Sequence, residues 1–184
     1  MEYRVVLVGR PSGIGKSCLA VRFVSGTYKE VYDPNIEDTY RRMIEVNGQP
    51  KLIEFIDTAG EEEYSTLTNN YLRGGMGYLI AFAITVENTL QYVKRILNDI
   101  EDLTGGLHPP IVLVALKCDI EENRKISTLD IEKFANEINC PFFETSAKIP
   151  FNITEPFTQI CRDIDTARNG PQTTEKNKQQ CGIA

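Results

Sequence analysis

The sequence has little of several features that mark common classes of protein. Its 184 residues include one histidine, His108, which lies beside two prolines, so a catalytic unit built on histidine is not expected. No apolar run is long enough to span a bilayer, and the chain begins with a strand pattern, not a signal peptide. The net charge is −6 and no strongly basic face is evident, which argues against nucleic acid as a partner.

The cysteines also help to exclude classes of protein and kinds of site. Their number is odd and their spacing does not match a metal site, which favours a reduced, cytosolic chain. Four of them lie in or beside apolar runs and are expected to be packing residues. These four are Cys18, Cys118, Cys140 and Cys161.

A strand pattern, a glycine-rich turn and a helix pattern follow one another over residues 5–17. Residues 5–8 are apolar and typical of a buried strand, and the helix pattern begins at Lys16. In such a loop, backbone N–H groups and the lysine hold phosphate while the next hydroxyl binds Mg²⁺. The segment therefore predicts a phosphate-binding loop. The residues expected to contact the nucleotide here are Gly13, Ile14, Gly15, Lys16, Ser17 and Cys18.

The first half of this loop departs from the usual pattern G-x-x-x-x-G-K-[ST]. Arg10 stands at the position of the first glycine, and Gly9 lies one residue earlier. Either the loop carries an extra residue or Arg10 makes the turn. Pro11 fixes its own φ angle and removes one possible N–H donor.

Strand and helix patterns alternate along the chain. Strands are predicted over residues 2–8, 39–46, 51–56, 78–84, 111–116 and 140–143. Helices are predicted over residues 16–25, before Gly74, around 90–100, from Ser127, and around 157–164. The Asn47-Gly48 pair predicts a hairpin, which makes one edge strand antiparallel.

This alternation predicts a doubly wound α/β fold. We expect a P-loop NTPase-type, mostly parallel six-stranded sheet with one antiparallel edge strand and helices on both faces, and ligand loops at the carboxyl ends of the strands. Residues 1–168 form this predicted domain, and the polar residues 169–184 form a predicted flexible tail.

Further short motifs follow the predicted strands, and together they carry a resemblance. Residues 57–60 read Asp-Thr-Ala-Gly, residues 116–119 read Leu-Lys-Cys-Asp, and residues 144–148 read Glu-Thr-Ser-Ala-Lys. In order and spacing, over almost the whole chain, these motifs and the phosphate loop resemble the Ras family of small GTPases. The loop that resembles the family's effector region contains Tyr32, Asp33, Pro34, Asn35, Ile36, Glu37, Asp38, Thr39 and Tyr40.

The resemblance implies GTP or GDP, together with Mg²⁺, as the ligands. Ser17 and Asp57 would hold the metal, and Gly60 would approach the γ-phosphate through its N–H. Asp119 would accept two hydrogen bonds from guanine, which adenine cannot supply. The other residues expected at the base are Tyr28, Lys117, Ser146, Ala147 and Lys148.

Several departures from the family pattern predict an impaired enzyme. Asn35 replaces the threonine that binds Mg²⁺, and Glu61 replaces the glutamine that orients the attacking water. Leu116 replaces the asparagine that ties the base to the phosphate loop. With Lys16, Gly60 and Glu61 as catalytic residues, we expect slow GTP hydrolysis in a signalling switch.

The last four residues, Cys-Gly-Ile-Ala, fit a prenylation box at Cys181. A single lipid anchors a protein weakly, so we expect reversible attachment to the cytoplasmic face of a membrane. The plasma membrane is the membrane we expect, with part of the protein in the cytosol. The resemblance implies a monomer whose partners are an effector, an exchange factor and a GTPase-activating protein.

Two other classes stay open. A pseudo-GTPase would keep the fold as a binding module without cycling nucleotide, in line with Arg10, Asn35, Glu61 and Leu116. An ATP-using P-loop kinase or ATPase is disfavoured by Asp119 and by the loop at residues 146–148.

Overall fold

A computed structural model of the chain describes residues 2–28, 38–58 and 66–170. Its strands are β1 Glu2–Gly9, β2 Asp38–Val46, β3 Gln49–Asp57, β4 Gly77–Ala83, β5 Ile111–Leu116 and β6 Phe142–Thr145. Its helices are α1 Lys16–Ser25, α2 Thr66–Gly74, α3 Thr89–Thr104, α4 Thr128–Glu137 and α5 Glu155–Asn169, with a 3₁₀ turn at Glu121–Asn123.

The strands form one sheet in the order β2-β3-β1-β4-β5-β6. β1 pairs in parallel with β3 and β4, and β4-β5 and β5-β6 are parallel too. β2 runs antiparallel to β3, from Asp38 opposite Asp57 to Val46 opposite Gln49, around the Asn47-Gly48 turn. The mostly parallel six-stranded sheet with one antiparallel edge is therefore confirmed.

Alternate residues of the central strands fill two separate cores, one on each face of the sheet. Val5 and Leu7 pack in one core with Phe23 of α1 and Phe157 of α5. Residues from α2, α3 and α4 pack on the other face, where Val6 and Val8 point. Helices thus cover both faces, and no helix in the described ranges is long and apolar enough to cross a membrane.

The predicted position of β6 differs from the structure. The sequence pattern predicts this strand at residues 140–143, but it runs over Phe142–Thr145. The Cys140 N–H donates to the carbonyl of Ala135, so residue 140 closes the end of α4. Glu144 and Thr145, which read as part of a loop, therefore belong to the strand.

Candidate functional site

The predicted motifs meet at one edge of the sheet. β1, β3, β5 and β6 run in the same direction and end at Gly9, Asp57, Leu116 and Thr145. The phosphate loop follows the first of these ends, and the motifs at residues 116–119 and 144–148 follow the last two. The carboxyl ends of parallel strands are where α/β folds bind ligands.

Gly9 belongs to the sheet and not to the loop. It pairs with Ala81 of β4, and a Cβ atom at Gly9 would lie 2.2 Å from the carbonyl oxygen of Ala81. Gly9 is therefore required by strand packing, and Arg10 is the first residue outside β1. The chain bends at Arg10, which agrees with the alternative in which Arg10 makes the turn. The peptide bond from Arg10 to Pro11 is cis.

The second half of the loop has the backbone that its glycines allow. Gly13 and Gly15 have φ angles of 77° and 107°, in the left-handed region that favours glycine. Between them, Ile14 is buried in the core and anchors the loop. Gly15 is the N-cap of α1 and no side chain caps this helix, so the partial positive charge of its amino end can attract an anion.

Lys16 and Asp57 bring opposite charges into a buried place. The Lys16 side chain is almost fully buried and its ammonium donates to the carbonyl oxygen of Gly9 at 3.0 Å. Burial lowers the pKa of Lys16, and the charge of Asp57 opposes this shift. Burial also raises the pKa of Asp57 from 3.8 to about 6, which the Ser17 hydroxyl and Lys16 only partly oppose.

The Asp57 carboxylate is the strongest indication of a metal site. Asp57 is fully buried, and neither of its carboxylate oxygens accepts a hydrogen bond that meets the usual distance and angle limits. The Ser17 hydroxyl lies close enough to this carboxylate to lower its pKa. A buried anionic oxygen pair beside a hydroxyl fits Mg²⁺, which prefers oxygen ligands.

Lys117 connects the predicted base site to the phosphate loop. Its ammonium donates to the carbonyl oxygen of Gly13 at 3.0 Å, and its φ angle is 63°. Its side chain also runs along Gly15, where a Cβ atom would lie 3.6 Å from the Lys117 Cε atom. Cys18 is half-buried in the first turn of α1, where burial raises its pKa and the charge of Lys117 lowers it.

Ser146 joins the two predicted guanine motifs. Its hydroxyl donates to Asp119 Oδ1 at 2.6 Å and accepts from the N–H of Ile149 at 3.0 Å. A carboxylate has about four lone-pair sites, so this contact leaves acceptor capacity on Asp119. Ala147 is half-buried beside it and Lys148 is exposed.

Leu116 lies where the family pattern has an asparagine. It is the last residue of β5 and 2% exposed, within the core under α1 and α5. Its Cδ1 atom would lie 3.9 Å from a Cβ atom placed on Gly15. Leu116 therefore contacts the phosphate loop through apolar packing, and Lys117 supplies the hydrogen bond to it.

An ion pair that the sequence did not reveal braces this edge of the sheet. Arg124 donates to both carboxylate oxygens of Glu144, at 2.9 and 3.1 Å, and Thr128 donates to the same carboxylate. Asn152, with a left-handed φ of 49°, donates to the Glu144 carbonyl oxygen. Arg124 and Glu144 are 20 residues apart, so no periodicity could have paired them.

Other predicted site residues fall partly or wholly outside the described ranges. Asp38 and Tyr40 begin β2, where the Tyr40 hydroxyl donates to Asp38 at 3.1 Å. Thr39, between them, is exposed, and Tyr28 is half-buried just beyond α1. The residues outside the described ranges are Tyr32, Asp33, Pro34, Asn35, Ile36, Glu37, Gly60, Glu61 and Cys181.

Comparisons with known proteins agree with this arrangement. A model of the Ras family matches residues 4–166. The chain is 37% identical over 178 residues to the Ras-like protein rasS of Dictyostelium discoideum, covering 97% of this chain and 91% of that protein. It is 35% identical over 178 residues to Ras-like protein 2 of Mucor circinelloides f. lusitanicus, covering 97% and 88%. The chain therefore belongs to the Ras family of small GTPases.

Proposed function

We propose that the protein binds GDP and GTP with Mg²⁺ and acts as a membrane-attached signalling switch that hydrolyses GTP slowly. The observation that carries this proposal is the buried Asp57 carboxylate. Neither of its oxygens accepts a hydrogen bond that meets the usual distance and angle limits, and it lies close to Lys16 and Ser17. A buried carboxylate of this kind is costly unless a cation joins it.

The chain's own groups would divide the nucleotide between them. Lys16 and the amino end of α1 would hold the phosphates, because both present positive charge at the phosphate loop. Ser17 and Asp57 would hold Mg²⁺, which neutralises charge on the phosphate oxygens when it is bound. Asp119, held by Ser146, would accept from the guanine N1–H and amino groups.

Slow hydrolysis is proposed from the residues themselves. Glu61 would stand at the attacking water, where a second negative charge near the γ-phosphate is unfavourable and an ionised carboxylate cannot donate. Asn35 would reach Mg²⁺ through a longer side chain than threonine, in a shell that tolerates little distortion. Both changes would reduce the closure of the loop at residues 32–40 over GTP, and the rate of hydrolysis, more than they would reduce nucleotide binding.

The base specificity can be tested with Asp119→Asn. An amide can donate one hydrogen bond where the carboxylate only accepts, so the variant should favour xanthine, whose 2-oxo group replaces the guanine amino group. We expect at least tenfold weaker binding of GDP, with xanthosine diphosphate binding more tightly than GDP.

Asp102→Asn is the matched control, because Asp102 is an exposed carboxylate on α3. Fluorescent nucleotide titrations of both variants, with ATP as a competitor, provide the measurement. If Asp119→Asn and Asp102→Asn bind GDP equally well, Asp119 does not read the base. If ATP competes as well as GTP, the protein is better explained as an ATP-using P-loop kinase or ATPase.

The remaining parts of the proposal concern the chain's ends and partners. Residues 1–168 would form the GTP-binding domain and residues 169–184 a tail that carries a prenyl group on Cys181. Effectors and regulators would contact residues 32–40 and the segment that begins at Asp57. A partner's arginine would stimulate hydrolysis, and an exchange factor would release GDP.

The burial of Leu116 favours a second candidate, a pseudo-GTPase that binds partners without cycling. This side chain fills the core where an amide would otherwise join the base to the phosphate loop. Leu116→Asn separates the candidates through the GDP dissociation rate. A cycling protein already holds GDP and should change by less than about tenfold, whereas a protein without nucleotide should gain binding.

A further inference from the structure

A groove lies at the edge of the sheet opposite the candidate nucleotide site. Its volume is about 840 Å³, within the range of cavities that bind organic groups. It is bounded by the last turns of α3 and α4 and by the segments that lead into β5 and β6. We call it the α3–α4 groove. Its apolar lining includes Leu97, Leu107, Ile111, Phe134 and Ile138.

The groove has an apolar floor and an apolar lip. Phe134 is 4% exposed at the floor, while Leu107 at the lip is 71% exposed. Leu107 extends the apolar lining of the groove to the surface, and an exposed apolar patch with a polar rim is typical of a surface that contacts another molecule.

The charges around the groove are mostly negative. Glu101, Glu137 and Asp163 all line it. Its one lysine, Lys94, holds its ammonium 5.6 Å from the centre of the Phe134 ring, where the ring's face attracts it. Burial raises the pKa of Asp163, and a hydrogen bond from Gln159 and the charge of Arg162 only partly oppose this.

The ends of the two helices add to this negative field. α3 and α4 both end at the groove, and neither has a basic residue in its last turn. The carboxyl end of a helix carries a partial negative charge, so cations there stabilise and carboxylates do not. Glu101 and Glu137 thus lie where their charges are unfavourable for the folded chain alone.

From this combination we infer that the α3–α4 groove docks a short basic segment of a partner protein, with aliphatic side chains on the apolar floor and a lysine or arginine facing Glu101, Glu137 and Asp163. The complementarity of charge selects this occupant over an acidic or neutral segment. The strands carry the groove and the candidate nucleotide site at opposite ends, so this inference does not depend on the proposed GTP binding.

The test is a titration of the full chain with two short peptides, followed by amide NMR. The basic probe is acetyl-Arg-Leu-Leu-Arg-amide and the matched neutral probe is acetyl-Gln-Leu-Leu-Gln-amide. The basic probe should shift the amides of Asn98, Leu107 and Asn139, which line the groove, and should bind more tightly than the neutral one. No shift of these amides at millimolar basic peptide, or equal affinity for both peptides, would overturn the inference.

The matched variants remove the same charge at two places. Glu101→Gln/Glu137→Gln should weaken binding of the basic peptide about fivefold or more, since each exposed charge pair contributes a few-fold to the affinity. Its melting temperature should not fall, because the lost charges oppose the helix ends. Glu45→Gln/Glu122→Gln removes two exposed carboxylates elsewhere and should leave binding unchanged. An equal loss of binding in both variants would mean only general attraction to a negative protein and would overturn the inference.

Discussion

Asp57 and Lys16 hold their charges in places that water does not reach. Each loses hydration through burial, and each partly compensates the other. Lys16 donates a hydrogen bond to Gly9, but the carboxylate of Asp57 accepts no hydrogen bond that meets the usual distance and angle limits. At the scale of single residues, the site is therefore built for a ligand and not for the stability of the chain alone.

Asp57→Asn should stabilise the metal-free, nucleotide-free protein at neutral pH. The folded state raises the pKa of Asp57 from 3.8 to about 6, so folding favours the protonated carboxyl relative to the carboxylate. Its stabilising effect is complete below about pH 4 and is lost as the pH rises through 6. The variant stays neutral throughout, so its gain, about 1–3 kcal/mol, should appear at pH 7.5 and vanish near pH 4.

Thermal melts in EDTA at both pH values measure this effect, and Asp102→Asn serves as the exposed control. The same substitution should reduce the stabilisation that Mg²⁺ gives to the nucleotide complex. A variant that melts below the unsubstituted chain at pH 7.5 would contradict this account of Asp57.

Some local features could be predicted because they depend on neighbouring residues alone. The bounds of α1 agree with the sequence pattern because Gly15 and Gly26, both in the left-handed region, flank Lys16–Ser25. The start of α4 was also evident, since Ser127 caps the N–H of Asp130. β6 was misplaced because Cys140 bonds to the end of α4, a contact between elements.

At the scale of elements, the loop after β5 and the strand β6 are held together by Arg124 and Glu144. The carboxylate of Glu144 accepts from Arg124 and from Thr128 of α4, and its carbonyl oxygen accepts from Asn152. Together with the bond from Ser146 to Asp119, this fixes both predicted base loops relative to each other. Local periodicity could not find it, because its residues lie far apart in the sequence.

Glu144→Gln should weaken this brace and loosen the base site. The side chains of Arg124 and Glu144 are only 14% and 20% exposed, so their bidentate pair is worth more than a surface pair. We expect a loss of about 1–2 kcal/mol in the free energy of unfolding and faster dissociation of bound nucleotide.

Lys125→Gln is the matched control for Glu144→Gln. The ion pair from Lys125 to Glu87 joins side chains that are 47% and 74% exposed, so its loss should change stability little. Urea unfolding and nucleotide release are measured on both variants. Equal effects of the two substitutions would show that the Arg124–Glu144 pair has no special role.

At the scale of the whole molecule, the sheet separates two regions of different character. The candidate nucleotide site lies at the carboxyl ends of the strands, and the α3–α4 groove lies where β5 and β6 begin. The fold followed from the alternation of strand and helix patterns and from the Asn47-Gly48 turn. The groove could not be predicted in this way, because its lining comes from segments that periodicity assigns only to separate helices and strands.

Membrane attachment through Cys181 is a prediction at this scale. A fluorescent fusion of the intact chain should divide between membrane and cytosol, since a single prenyl group gives reversible binding. Cys181→Ser should move the membrane fraction into the cytosol, whereas Cys140→Ser should leave it unchanged. If the intact chain and Cys181→Ser distribute alike, the prenylation proposal fails.

The nucleotide content of the purified protein tests the central claim most directly. The chain is isolated with Mg²⁺ present, denatured, and the released nucleotides are separated and quantified by chromatography. We predict close to one GDP or GTP per chain, because Lys16, Asp57, Lys117 and Asp119 converge at one edge of the sheet. A folded protein that carries no nucleotide and takes up no added GTP would contradict the account and leave the non-cycling binding module.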